Sequence, residues 1–141
     1  MTLFHDPKSV NTFATLRMWG KDVVPRLISQ SLGLEPTDSH EAGSQRSALT
    51  TWGDSYWEFS TQGFLDSDDI SHHITYLLDK IAQKTPEIEC IIGSGGNIDI
   101  FCFLSINTFN YGFTLSPLLL QRVSSMGLSI GIDIYTPCSE E

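Results

Sequence analysis

Three charged residues in separate segments have the types and positions to form a binding site on a β-sheet. Arg17 alternates with Thr15 and Trp19 in one strand-like segment, and Asp99 and Asp133 lie in two later segments with the same alternation. A guanidinium beside two carboxylates can donate bidentate hydrogen bonds to either of them. We therefore expect an ion-pair cluster on one sheet face. It is either a structural cross-strand pair or the polar centre of a binding groove.

Aromatic residues accompany these charges on the same predicted face. Trp, Tyr and Arg are the residue types most enriched in the hot spots of protein interfaces. His40 is added from a long polar loop, where it could contact a ligand. The candidate binding residues are therefore Arg17, Trp19, Asp99, Phe101, Asp133, Tyr135 and His40. The face could equally be covered by the middle helix, which would make it a second core.

The sequence predicts no catalytic residue, no metal site and no cofactor. Adjacent His72 and His73 point to different sides of a helix, and neither Cys-x-x-Cys nor His-Glu-x-x-His occurs. The glycine-rich stretch 93–96 precedes a strand, whereas a phosphate-binding loop precedes a helix. It is therefore interpreted as a helix end and a turn.

The elements that must position the candidate residues are four strands with helices between them. Alternating apolar residues predict strands over 12–19, 56–61, 98–105 and 128–135. Asp22 is the expected cap of the first helix, Asp66 or Ser67 that of the long middle helix, and Ser116 that of the last. Residues 35–54 are predicted to form a long loop that is either functional or mobile.

This order predicts an α+β fold built as a two-layer sandwich. The sheet is four-stranded and mainly antiparallel, and the topology is ferredoxin-like with an extra helix between two βαβ halves. In that topology the first strand lies between the strands at 98–105 and 128–135. Residues 1–10 are interpreted as a lead-in, 11–136 as the single domain, and 137–141 as an acidic tail.

Composition restricts the partners. The chain has 141 residues, with 17 acidic and 8 basic side chains and a net charge of −9. Such a charge disfavours nucleic acid and anionic membranes, and it favours basic proteins. No run reaches the ~20 apolar residues of a membrane span. Three cysteines without a pairing motif, and no apolar leader, predict a cytoplasmic location.

Several segments together resemble a bacterial family known as domain of unknown function 4279. The resemblance spans about residues 12–136, and the segments that carry it are 14–20, 32–37, Gly43, 57–61, 114–117 and 132–135. It implies a small single-domain bacterial protein. It supplies no activity, cofactor or catalytic residue.

Three functions remain open on these grounds. The first is a non-enzymatic protein-binding module, for example an immunity-type protein that blocks a basic partner. The second is a small-molecule-binding domain or unrecognised enzyme with a pocket on the sheet face. The third is a homodimer that associates through the aromatic sheet face.

Overall fold

Five strands and four helices make up the computed structural model, which describes residues 11–136. The strands are β1 (Asn11–Gly20), β2 (Asp38–His40), β3 (Ser55–Ser60), β4 (Asn97–Ser105) and β5 (Ser129–Tyr135). The helices are α1 (Pro25–Leu32), α2 (Ile70–Lys80), α3 (Thr85–Gly93) and α4 (Pro117–Ser125). The predicted lead-in 1–10 and acidic tail 137–141 lie outside the described residues.

The strands form one open sheet in the order β2-β3-β1-β4-β5. All neighbours are antiparallel except β4 and β5, which are parallel and are connected through α4. The predicted α+β class is confirmed, but the sheet has five strands where four were predicted. The extra strand, β2, falls in the predicted loop because three polar residues give no hydrophobic alternation. The ferredoxin-like arrangement is not confirmed.

Of the two predicted neighbours of the first strand, the strand at 98–105 is confirmed and the strand at 128–135 is wrong. β1 lies between β3 and β4, whereas β5 lies on the far side of β4. Consecutive strands tend to pair, and β3 follows β1 in the chain apart from the short β2. The crossover through α4 then places β5 beside β4. The two halves of the chain are therefore not duplicates, since β1 and β3 are antiparallel and β4 and β5 are parallel.

The core lies between one face of the sheet and the helices. Leu16 and Met18 on β1, Ile100 on β4, and Ile74 and Leu77 on α2 are all fully buried in it. The middle helix therefore covers this face and not the aromatic one. Each such side chain contributes about 1.5–3 kcal/mol through burial.

A buried histidine links α2 to the edge of this core. His73 is fully buried, and its Nδ1 accepts a hydrogen bond of 2.6 Å from the Thr61 hydroxyl. The same hydroxyl oxygen accepts from the Ala14 N–H at 3.0 Å, and His73 Nε2–H donates to the Ser67 carbonyl at 2.7 Å. Every polar atom of the ring is thereby satisfied, as burial requires.

Helix starts agree in part with the sequence-based predictions. Ser116 caps α4 as predicted, with its hydroxyl accepting from the Leu119 N–H at 3.2 Å. The cap of α2 is Asp69, and neither Asp66 nor Ser67 as predicted. The predicted cap Asp22 is also wrong, because α1 begins after Val24 without a side-chain cap. No helix within residues 11–136 is long and apolar enough to cross a bilayer.

Candidate functional site

The sheet face opposite the helices carries the predicted site residues. We call it the open face, because the buried helix residues pack into the core on the other side. Its side chains alternate with the core residues along each strand. They are Phe13, Thr15, Arg17, Trp19, Asp38, His40, Tyr56, Glu58, Asp99, Phe101, Phe103, Asp133 and Tyr135.

Arg17 lies at the centre of the open face and forms a bidentate ion pair with Asp99. Its Nε and Nη2 donate to the two carboxylate oxygens at 2.8 and 2.7 Å. The two side chains are 29% and 13% exposed. The guanidinium also lies 4.3 Å from the ring centre of Phe101 and 5.3 Å from that of Trp19. The hydrogen bond to Asp99 raises the pKa of Arg17 and outweighs the opposing effect of burial, so the side chain stays charged.

The second carboxylate beside Arg17 is Glu58, and not Asp133 as predicted. Arg17 lies directly opposite Glu58 on β3. Glu58 Oε1 accepts a hydrogen bond of 2.6 Å from the Tyr56 hydroxyl. Burial, together with this bond, raises the pKa of Tyr56 far above its usual value of about 10. The phenol therefore remains a neutral donor.

Asp133 and Tyr135 belong to a different part of the open face. Asp133 is on β5 and lies opposite Phe103 on β4. The whole of β4 therefore separates Asp133 from β1. The Tyr135 ring is 5.1 Å from Phe103, which in turn stacks on Phe13 at 4.8 Å. The predicted residues thus divide into an ion-pair centre and a separate aromatic row. The prediction that Asp133 flanks Arg17 is wrong because β5 adds to the outer edge of β4.

His40, the last residue of β2, lies opposite Tyr56 on β3 and stacks on the loop that follows it. Its ring stacks on Trp52 at 3.8 Å and on Tyr56 at 5.4 Å. Arg46 lies over Trp52 at 4.4 Å. Backbone hydrogen bonds from Gly43 N–H to Trp52 O and from Trp52 N–H to Ser44 O hold the loop 41–54 in this position. The predicted long loop is therefore ordered by its own hydrogen bonds.

Together these groups form a cleft at one end of the open face, which we call the aromatic cleft. It has a volume of about 380 Å³. The residues that line it are Arg17, Trp19, His40, Trp52, Gly53, Asp54, Ser55 and Tyr56. Four aromatic or imidazole rings thus line the cleft together with Arg17, whose charge is already paired with Asp99.

Sequence reasoning missed Trp52, Tyr56 and Glu58. Tyr56 and Glu58 alternate with the buried Trp57 and Phe59 within the predicted strand 56–61. Pairing that strand with the first one would have placed both residues beside Arg17. Trp52 gave no such signal, since its position depends on loop hydrogen bonds.

The charge on the open face is negative overall. Its strand residues include four carboxylates, Asp38, Glu58, Asp99 and Asp133, and one guanidinium, Arg17. Within residues 11–136 no group of three or more His, Cys, Asp or Glu side chains is placed to hold a metal ion. The polar groups around Arg17 are paired with one another, which holds their side chains in one arrangement.

The chain matches the model of a known protein family. The model of a family described as "Domain of unknown function (DUF4279)" matches residues 9–137, which is nearly the whole chain. No curated protein and no solved structure matches the chain.

Proposed function

The chain belongs to the DUF4279 family, whose function is unknown, and we propose that it is a non-enzymatic module that binds a basic protein segment on the open face. The observation that carries the proposal is the excess of carboxylates on the open face, whose strands carry four of them against one guanidinium. Charge complementarity of this kind accelerates encounter with a basic partner and selects against acidic ones. An immunity-type protein that blocks a basic toxin would fit this chemistry.

The aromatic cleft supplies the specific part of the interaction. A cation over an aromatic face gains about 0.5–2 kcal/mol, depending on how far water is excluded. Arg46 of the chain itself lies over Trp52 at 4.4 Å, so this ring face attracts a guanidinium. An arginine or lysine of the partner would take the position of Arg46, with Asp54 of the same cleft to balance its charge.

A small cationic molecule is the second candidate ligand. The cleft volume of about 380 Å³ falls in the ~300–1,000 Å³ range of small-molecule sites. If the chain is a small-molecule-binding domain or an enzyme that uses this cleft, individual metabolites should raise its melting temperature.

Free Cys90 and Cys102 support residence in a reducing compartment such as the bacterial cytoplasm.

The test is selection of binders from a random peptide library displayed on phage. The matched variants are Trp52→Ala, which removes a wall of the cleft, and Leu49→Ala, which alters a 94% exposed residue of the same loop. We expect enriched peptides to carry Lys or Arg, and to lose affinity for Trp52→Ala but not for Leu49→Ala. Enriched peptides without positive charge, or equal binding to both variants, would contradict the proposal.

A further inference from the structure

The outer edge of β5 is a row of backbone groups that no described strand pairs. The Ile106 N–H donates to the Tyr135 carbonyl at 2.8 Å, so the backbone groups of Tyr135 point towards β4. Direction alternates along a strand. The N–H and C=O groups of Ile130, Ile132 and Ile134 therefore point outwards, away from the sheet. Such an edge is a template for another strand.

The side chains of this edge are also poorly covered. Ile132 and Ile134 lie on the helix side of the sheet, yet they are 44% and 48% exposed. The opposite edge differs, because β2 has only three residues, Asp38–His40, all of them polar or ionisable. Proteins protect edges by making them short and charged, and only the β2 edge has that protection.

We propose that a second copy of the chain pairs with this edge, β5 against β5 in antiparallel orientation. The register that overlaps all of β5 places Ile132 opposite its equivalent in the other copy. Outward-pointing Ile130 then lies opposite outward-pointing Ile134, which is what antiparallel hydrogen bonding requires. Gly131 lies opposite Asp133, so no like charges face each other directly. The strand is therefore complementary to itself, as a two-fold interface must be.

This register also removes apolar surface from water. The isoleucines of both copies form one continuous strip on the helix side, because residues that face each other across an antiparallel pair lie on the same side. The two-fold axis is perpendicular to the sheet, so the two sheets of five strands merge into one. Both open faces stay uncovered on the same side. This dimer differs from one formed through the aromatic face and does not depend on the proposed function.

Net charge opposes the association and makes its dissociation constant depend on salt concentration. Each copy carries −9, and like charges on two approaching copies repel. Salt screens this repulsion while leaving the hydrogen bonds and the isoleucine strip in place. The dimer should therefore become tighter as salt is raised, whereas a dimer held by ion pairs would weaken.

Sedimentation equilibrium of the full chain tests the proposal. We expect a concentration-dependent species of twice the 15.7 kDa chain mass, with a dissociation constant that falls as salt is raised. Ile132→Lys should abolish it. Leu27→Lys adds the same charge at a 47% exposed residue on α1 and should leave it unchanged. A monomer at every concentration, or equal dimerisation of both variants, would overturn the proposal.

Hydrogen exchange provides a readout that needs no variant. The amides of Ile130, Ile132 and Ile134 point outwards, and we expect them to exchange more slowly as protein concentration is raised. The amide of Gly131 points towards β4 and should be protected at all concentrations. A dimer in which the three outward amides exchange at the monomer rate would place the interface elsewhere and refute the β5 pairing.

Discussion

Replacing Asp99 by Asn should destabilise the protein much more than replacing Asp133 by Asn. Asp99 accepts two charge-assisted hydrogen bonds from Arg17, at 2.8 and 2.7 Å, and its side chain is only 13% exposed. Hydrogen bonds to charged groups contribute about 1.5–3 kcal/mol. Arg17 is 29% exposed, so water partly compensates the charge left behind. We expect a loss of about 2 kcal/mol in the free energy of unfolding.

Urea unfolding followed by tryptophan fluorescence measures this loss. For a chain of this size, about 2 kcal/mol corresponds to a melting temperature lower by about 4–8 °C. Asp133→Asn is the matched control, because it changes the same group on the same face but two strands away from Arg17. It should change stability by less than about 0.5 kcal/mol.

A double-mutant cycle isolates the pair itself. Arg17→Met and Asp99→Asn should be non-additive by about 1–2 kcal/mol, since residues in one ion pair couple. Arg17→Met with Asp133→Asn should be additive. Equal losses from the two aspartate variants, or coupling of Arg17 to Asp133, would refute the strand order on which this reasoning depends.

Four further outcomes follow from the described contacts. Thr61→Val should lower the free energy of unfolding in urea by about 2–3 kcal/mol, because it leaves the Ala14 N–H and the His73 ring without their shared partner. Ser47→Ala, which removes an exposed hydroxyl, is the control. Equal losses from the two variants would contradict the role of the buried hydrogen bonds. Burial raises the pKa of Tyr56 above the unfolded value of about 10. The contribution of this phenol to the free energy of unfolding should therefore be fully present below pH 10 and should be lost as the pH rises beyond it. In Tyr56→Phe the free energy of unfolding should fall less steeply above pH 10 than in the unmodified protein. An unchanged pH profile would contradict the raised pKa of Tyr56. Burial raises the pKa of the Cys102 thiol to about 12, so in a Cys138→Ser background a thiol reagent should label exposed Cys90 in the folded protein and Cys102 only after unfolding; rapid labelling of both would contradict the burial of Cys102. Arg46→Ala should strengthen binding of an arginine-containing peptide severalfold, because it uncovers the ring of Trp52. Calorimetric titration measures the affinity, and weaker binding by this variant would contradict the expectation.

Local patterns predicted the elements of the fold better than their arrangement. Alternation located four strands, including the one with Arg17, and the Ser116 cap with Pro117 after it located the start of α4. These signals are contained within a few residues. The short strand β2 has no such signal, because its formation depends on pairing with β3.

The placement of the candidate residues was predicted in part for the same reason. Arg17, Trp19, Asp99 and Phe101 meet because β1 and β4 are neighbours, as expected. Asp133 was misplaced because face alternation determines which side a residue occupies but not which strand lies next to it. Trp52 could not have been predicted, since the fold of the loop 41–54 brings it to His40.

The most direct test of binding on the open face uses the three tryptophans of the chain. The indole N–H signals of Trp19 and Trp52 report on the aromatic cleft, while Trp57 is buried on the helix side and donates to the Ser29 hydroxyl at 3.0 Å. A selected basic peptide is titrated into ¹⁵N-labelled protein, with a copy in which Gln replaces every Lys and Arg as the control. We predict that the basic peptide alone moves the Trp19 and Trp52 signals and leaves Trp57 in place. Movement of Trp57 alone, or equal movement with the neutral peptide, would contradict the account.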